Sequence, residues 1–293
     1  MSALYDVPGP RARRRVLIGS VVGTLLVLAV FVIAVRRLAD HGVFKHSQWE
    51  PFTDPGVQRF LLSGLASTVK AAAVAIVLAL AFGVVFAAGR LSEHRWVRLP
   101  AAAIIELFRA IPLLLLILFL FLGLGNELKP IGQLVGSEVP NAFGALVVGL
   151  MLYNGSVLAE TFRAGILAVP RGQSEAAYSI GLRKSQVMRM ILVPQAVRIM
   201  LPAIVSQCVV ALKDTALGFV IGYEDLLRHG KTVFNTYDNI VPTMIVVATI
   251  YIVINTLLSL LASWLERRLR QRGSRPVRLD PGGIAVPAAG PVS

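Results

Sequence analysis

Charged and hydroxyl side chains interrupt one of the most apolar stretches of this sequence. The stretch "VVALKDTALGFV" contains Lys213, Asp214 and Thr215. Charges inside a bilayer are costly and normally face a cavity or a partner. Adjacent residues on a helix point about 100° apart, so Lys213 and Asp214 do not simply neutralise each other. We therefore predict a functional position here, with the alternative that Thr215 only bonds to backbone carbonyls.

Two similar hexapeptides supply further candidate residues. "ELFRAI" carries Glu106 and Arg109, and "ETFRAG" carries Glu160 and Arg163, in each case three positions apart on one helix face. These residues either contact a polar solute or form internal ion pairs, and the second pair also has the alternative of extending to water from a helix end. Asn154, within a fourth apolar stretch, is predicted to hydrogen-bond another helix or the solute.

Membrane-spanning helices must position these residues. The chain has 293 residues, of which 56% are hydrophobic, and a mean hydropathy of +0.72. Several runs approach the roughly 20 apolar residues that cross a bilayer as a helix. The sequence therefore predicts an all-α polytopic membrane protein with six spans, at about 16–35, 62–88, 99–124, 142–166, 191–221 and 240–264.

The basic residues are distributed unevenly between the predicted loops. Most of the 29 Lys and Arg residues precede the first span, follow the sixth, or lie in alternate loops between them. This is the positive-inside pattern, and it predicts that both termini are cytoplasmic. The net charge of +13 thus reflects topology and not nucleic-acid binding. Residues 1–15 are a basic cytoplasmic segment, and 266–293 are predicted to be a basic and then disordered tail.

The residue inventory argues against catalysis by this chain. Cys208 is the single cysteine, and a G-x-S-x-G motif is absent from the sequence, which disfavours an intramembrane Ser–His protease. The stretch "HGKT" (229–232) resembles the end of a phosphate-binding loop, but Asp225 stands where that loop needs glycine. We predict neither an enzyme nor a metal site. The four histidines fall in predicted loops, at His41, His46, His94 and His229.

A short polar segment, "SEAAYSIGLRKS" (174–185), lies between the fourth and fifth predicted spans. Ser174 is a suitable N-cap, and Glu175 then lies in the first turn, where the helix dipole favours an acid. Gly181 permits the left-handed turn that ends a helix, and Ser185 is suited to cap a following one. The segment is predicted to be a small helix on the cytoplasmic surface.

One face of this small helix is predicted to be small and apolar. Ala176 and Ala177 are predicted to share it with Ile180, which would allow another protein to approach closely. Local physical chemistry leaves open the alternative of a passive connector at the membrane surface.

The spacing beyond this helix resembles a known family. Glu175-Ala176-Ala177 is followed after three residues by Gly181, after nine more by Ile191, and after two more by Pro194. This pattern resembles the EAA loop of bacterial ABC importer permeases, with Val193 where the family usually has leucine. The resemblance implies a coupling helix, within about 170–194, that docks on an ATPase through Glu175, Ala176, Ala177 and Gly181.

The resemblance extends over about 61–265. "ELFRAIPLLLL", "ETFRAGILAVPRGQSEAAYSIGL" and "LKDTALGFVIGYEDLL" are similar to polar amino acid permeases. The N-terminal "YDVPGPRARRR", with its extra span at 16–35, is most similar to actinobacterial glutamate permeases. The resemblance implies a five-helix permease core plus one helix, in the bacterial plasma membrane, that translocates a polar amino acid by alternating access. Glutamate is the favoured substrate, and glutamine, aspartate or a basic amino acid are the alternatives.

The resemblance also implies the partners. We expect an ABC ATPase dimer that uses ATP and Mg, a second permease subunit in a heterodimer, an extracellular amino acid-binding protein, and membrane lipid, with no cofactor bound by this chain. Basic residues in the spans outnumber acids, which favours an acidic substrate: Lys70, Arg109, Arg163, Arg198 and Lys213 against Glu106, Glu160 and Asp214. An ion-coupled secondary transporter is the alternative, but the inverted repeat that it would need is not evident.

Overall fold

The computed structural model describes residues 9–271, 278–279 and 285–286. In these ranges the ordered elements are helices, apart from β1 (Arg278–Leu279) and β2 (Ala285–Val286), an antiparallel pair that aligns Arg278 with Val286. The helices are α1 (Pro10–Asp40), α2 (His46–Trp49), α3 (Pro55–Arg90), α4 (Arg95–Ala110), α5 (Leu113–Leu134), α6 (Pro140–Leu167), α7 (Arg171–Ser179), α8 (Lys184–Val187), α9 (Val193–Asp214), α10 (Leu226–Tyr237) and α11 (Ile240–Gln271).

Six helical segments are long and apolar enough to cross a membrane, which confirms the predicted number of spans in the described part of the chain. The shortest have 22 residues, about 33 Å of helix at 1.5 Å per residue. They are Arg11–Asp40, Pro55–Arg90, Leu113–Leu134, Pro140–Leu167, Lys184–Ile221 and Ile240–Leu261.

The third span differs from the prediction of 99–124. Pro112 has no N–H to donate, and its ring disfavours the helical conformation at Ile111, which has φ −77° and ψ 127°. The apolar run is therefore divided into α4 and α5, and only α5 forms the third span. Glu106 and Arg109 lie on α4, outside that span. The prediction that Arg109 lies within the third span is therefore wrong.

The ends of the chain also differ from the predictions. The first helix, predicted at 16–35, begins at Pro10 and so includes part of the basic segment at 1–15. Helix α11 continues to Gln271, beyond the predicted start of the tail at 266. The predicted disorder does not hold at the four residues of β1 and β2, and the rest of the predicted tail after Gln271, like residues 1–8, lies outside the described residues.

Helix α6 is the buried element on which its neighbours pack, since most of its membrane-spanning residues are buried. Its glycines allow close approach by other helices. A Cβ at Gly144 would lie 2.3 Å from the carbonyl oxygen of Leu128 on α5, and one at Gly155 would lie 2.8 Å from the ring of Phe82 on α3. Gly149 approaches α5 in the same way, and Gly165 approaches α9.

The chain divides into two compact units. The first comprises the residues up to 59 together with 231–245. In it, Asn239 Nδ2 donates to the Gln48 carbonyl (3.0 Å) and Thr243 Oγ1 donates to Asn239 Oδ1 (2.8 Å). The second, 60–230 and the residues from 246 onward, contains the predicted site residues.

Gly144→Ala tests the close approach of α5 and α6. The new methyl group would meet the Leu128 backbone, which cannot rotate away, so we expect a loss of about 1–3 kcal/mol of stability. Thermal unfolding in detergent measures it. The matched control is Gly125→Ala, whose Cβ would meet nothing closer than 3.7 Å and should cost nothing. Equal unfolding temperatures for the two variants would contradict the proposed packing constraint.

Candidate functional site

The small polar helix predicted between the fourth and fifth spans exists as α7, but it begins earlier than predicted. Pro170, with φ −55° and ψ 132°, precedes its first residue, Arg171. Ser174 is therefore inside the helix, where its hydroxyl donates to the Arg171 carbonyl at 2.8 Å. Its predicted role as N-cap is wrong, because proline at the helix start sets the boundary. Glu175 consequently lies in the second turn, where it is exposed.

The end of α7 confirms the predicted role of Gly181. This residue has φ +84°, in the left-handed region, and its N–H donates to the Tyr178 carbonyl at 2.9 Å. The N–H of Leu182 donates to the Ala177 carbonyl at 3.2 Å. Together these bonds form a Schellman motif, which satisfies the last carbonyls of a helix.

The apolar face of α7 is not the predicted one. Ala177 is 4% exposed and faces inward, whereas Ile180 is 76% exposed. Positions 177 and 180 would share a face only if the helix continued, but Ile180 is the C-cap and has left the helix geometry. The outward surface instead combines Glu175, Ala176, Tyr178 and Ile180.

The second helix of the segment, α8, is capped by a different residue from the one predicted. Gln186 Oε1 accepts the N–H of Arg183 at 2.8 Å, so Arg183 precedes the helix and Ser185 lies inside it. The predicted cap at Ser185 is wrong. Gln186 supplies the acceptor from the third helical position, which satisfies one of the unpaired N–H groups of a helix start.

A π-helical turn, Met188–Leu192, joins α8 to α9. Pro194 lacks an N–H and its ring would clash with the carbonyl four residues earlier, so the helix widens here. Gln195 Nε2 donates to the Ile191 carbonyl at 3.0 Å. The segment therefore passes into the fifth span as one continuous helical path. We name α7, α8 and this turn the coupling insert (171–192), after the coupling helix that the family resemblance implies for this segment.

Four charged residues form one ion-pair network near the C-terminal ends of α3, α4 and α6. Arg90 of α3 pairs with Glu106 of α4 (3.1 Å) and with Glu160 of α6 (2.9 Å), and Glu160 also pairs with Arg163 (2.9 Å). Of the alternatives that the sequence left open, the internal ion pair is the one that forms between Glu160 and Arg163. The corresponding pair of Glu106 with Arg109 does not form, because α4 packs on α3 and brings Glu106 to Arg90, while Arg109 is exposed.

This network changes the charge count that favoured an acidic substrate. Glu106 lies outside the third span, and Glu160 is shared between two arginines, one of which, Arg90, is the last residue of α3. The side chain of Glu160 is 19% exposed and that of Glu106 is 66% exposed. Glu160 is thus mainly a structural tie between helices.

Lys213 and Asp214 occupy the last turn of α9, immediately before a 3-10 turn at Thr215–Ile221. Lys213 is exposed and Asp214 is half-buried, and in the described part of the chain they form no ion pair with each other. Thr215 is fully buried, and its hydroxyl donates to the Leu212 carbonyl at 2.6 Å. The sequence left open the alternative that Thr215 only bonds to backbone carbonyls, and this bond agrees with that alternative.

Asn154 joins α6 to α9. Its Oδ1 accepts a hydrogen bond from Gln207 Nε2 at 2.6 Å, and the residue is 1% exposed. The predicted helix–helix bond is confirmed, and the partner, Gln207, is a residue that sequence reasoning missed. Its signal is an amide inside the apolar stretch "VSQCVV". The described hydrogen bonds and ion pairs do not connect Asn154, Glu160 and Lys213 to one another.

A buried carboxyl group begins helix α10. Asp225 is fully buried, and its Oδ1 accepts the N–H of Arg228 at 2.8 Å, as an N-cap does. Its Oδ2 has no hydrogen-bond partner among the described residues. Burial, together with the neighbouring Glu224, raises the pKa of Asp225 to about 7, although the Arg228 amide and charge oppose the shift.

The same loop is attached to α3 by two hydrogen bonds. Tyr223 OH donates to the Ser67 carbonyl at 2.8 Å, and Thr68 Oγ1 accepts the N–H of Leu226 at 3.0 Å. His229, predicted in a loop, lies in α10 and is 7% exposed, beside the ring of Phe60. Because 229–232 is helical, the "HGKT" stretch is not a phosphate-binding loop.

Asp225→Asn should change how stability depends on pH. The folded carboxyl binds its proton more tightly than an unfolded one, so the wild-type unfolding free energy falls as pH rises from about 4 to about 7. Asparagine keeps the cap without this titration. We expect the variant to be more stable than the wild type at pH 8, on the order of a few kcal/mol, but not at pH 4. Unfolding temperatures in detergent at both values measure this, and parallel wild-type and variant curves would contradict it.

Comparison with known proteins identifies the family to which this chain belongs. The family model of "Binding-protein-dependent transport system inner membrane component" matches residues 79–271, which include α4 to α11 and the coupling insert. The chain belongs to this family. The permease is therefore a multi-pass membrane subunit of an ABC importer, a transport component and not an enzyme, and the family implies a separate ATPase and a binding protein as partners. Membership excludes a secondary transporter that works alone.

Its relatives are amino acid permeases. The permease is 42% identical over 81% of its length to the glutamate transport system permease protein GluD of Corynebacterium glutamicum, covering 85% of that protein. It is 32% identical over 71% of its length to the glutamate/aspartate import permease protein GltK of Escherichia coli, covering 93%. It is also 32% identical over 72% of its length to the arginine transport system permease protein ArtQ of Bacillus subtilis, covering 93% of that protein.

Solved structures agree with the fold. The permease matches a chain of an amino acid ABC transporter, crystallised with histidines, with a TM-score of 0.64 and 34% identity over 72% of its own length and 94% of that chain. The methionine transporter MetNI matches with a TM-score of 0.59 at 18% identity, over 74% and 99%. At that identity the second match establishes the fold alone.

Proposed function

We propose that this permease translocates glutamate, driven by ATP hydrolysis in a partner ATPase dimer that uses Mg. The observation that carries the proposal is 42% identity, over 81% of the chain, to a glutamate permease. A second relative is named for glutamate and aspartate import. Arginine and glutamine permeases are also relatives, at 32% and 33% identity, and they define the alternative substrates.

A second permease subunit follows from the exposure of Lys213. This residue lies in a spanning segment, and an ammonium group there does not face lipid. It therefore faces an aqueous path or another protein. A heterodimer with the path at the subunit interface satisfies both Lys213 and the half-buried Asp214, and the positive charge of Lys213 suits a substrate carboxylate. An external binding protein delivers that substrate.

The coupling insert is the docking element for the ATPase. Its outward surface carries Tyr178 and Ile180 at 47% and 76% exposure, and a large exposed apolar side chain outside the spans is favourable only when a protein or the membrane interface covers it. The positive-inside pattern assigns this side, and both termini, to the cytoplasm. Because the insert continues into α9, closure of the ATPases would tilt the spans and alternate access to the path.

Gly181→Asp tests the docking. A side chain at φ +84° costs about 1 kcal/mol locally, and its carboxylate would project where nothing lies within 4 Å. We expect copurification of the ATPase to fall about tenfold, since about 1.4 kcal/mol at the interface suffices. The matched control is Gly136→Asp, another left-handed glycine (φ +63°) with open space around it, in the turn between α5 and α6.

The control should retain the ATPase at the wild-type level. Loss of the ATPase in both variants would indicate general damage to the fold, and retention in both would contradict docking at α7. Gly181→Ala, which adds the backbone strain without a charge, should reduce copurification less than Gly181→Asp.

A further inference from the structure

A cavity lies between α3, α6 and the start of α9. Its volume is about 690 Å³, and its wall is largely apolar. The lining includes Val84, Ala88, Phe162, Ile166, Val197 and Met200. Side chains in this region therefore leave unfilled space between α3 and α9.

One ion pair lies at the edge of this cavity. Glu93, in the turn between α3 and α4, pairs with Lys184, the first residue of α8, and both side chains line the cavity. The two residues are 91 positions apart in sequence. The hydrogen bond from Lys184 and its charge lower the pKa of Glu93.

The pair supplies a connection that the chain does not make covalently. The coupling insert continues into α6 through residues 168–170 and into α9 through the π-helical turn. The α3–α4 hairpin has no such continuity with the insert. Because the cavity separates α3 from α9, the Glu93–Lys184 pair is the direct polar link between hairpin and insert in the described residues.

The hairpin itself is held together next to this pair. Arg90, three residues before Glu93, joins α3 to Glu106 of α4 and to Glu160 of α6. A Cβ at Gly89 would lie 3.1 Å from the Ala101 side chain, so α3 and α4 are also in close contact. A force applied at Glu93 is therefore delivered to α3 and α4 together.

We propose that Glu93 and Lys184 are positioning residues that transmit movement of the coupling insert to the α3–α4 hairpin. This inference rests on the proposed function, in which the ATPase moves the insert. The pair acts across the cavity, in place of side-chain packing, so that α3 and α4 follow the insert when α9 tilts.

Charge reversal tests the link. The assembled complex of both permeases, ATPase and binding protein is reconstituted in vesicles, and amino acid uptake is measured per ATP hydrolysed. Glu93→Lys and Lys184→Glu should each lower this ratio about fivefold, and the double variant, which restores an ion pair in reversed order, should return it to within about twofold of wild type. ATPase copurification should not change.

Arg98→Glu is the matched control, because it makes the same charge change as Lys184→Glu on an exposed residue of α4 outside the described ion pairs, and it should keep the wild-type ratio. If a reversal reduces the yield of folded complex, Glu93→Gln and Lys184→Met serve instead, and each should lower the ratio. Single variants with the wild-type ratio, or a double variant as defective as the singles, would overturn the inference. Absence of ATP-driven uptake by the wild-type complex would instead contradict the proposed function.

Discussion

Close contact at the glycines of α6 is the constraint on which the rest of the structure depends. Lipid chains are as apolar as leucine, so spanning helices associate through van der Waals packing and hydrogen bonds and not through hydrophobic burial. Gly144 and Gly155 bring α5 and α3 onto α6 at distances that no larger residue permits, and Gly165 does the same for α9. Only with the helices this close does Asn154 reach Gln207, or Glu160 reach Arg90.

The polar residues of the spans and their flanks divide into two groups by where their partners lie. Glu160, Asn154 and Thr215 form bonds within the chain, so their role in one subunit is to hold helices together. Lys213 and the outer surface of α7 are presented outward. A bilayer disfavours the exposed ammonium group of Lys213, and water disfavours the exposed apolar side chains of α7. Both surfaces therefore require contact with other molecules. The exposed group is therefore where we propose that the transport machinery meets this subunit.

Hydropathy was sufficient to predict six spans and an all-α fold, because a run of about 20 apolar residues has few alternatives in a membrane. It did not detect the break at Pro112, because hydropathy does not register the conformational effect of a proline and residues 99–111 are still mostly apolar. The end of α7 at Gly181 was predictable because left-handed backbone strongly favours glycine. The pairing of Arg90 with Glu160 was not, because it depends on the distance between α3 and α6, which is a property of packing and not of local sequence.

Competition for uptake tests whether this permease carries glutamate in an ATP-driven complex. The complete complex, in vesicles with ATP on the ATPase side, would be supplied with labelled glutamate and an excess of unlabelled glutamate, aspartate, glutamine or arginine. We expect that uptake requires both ATP and the ATPase, and that unlabelled glutamate reduces it most while arginine has little effect. Uptake that persists without the ATPase, or that arginine suppresses most strongly, would contradict it.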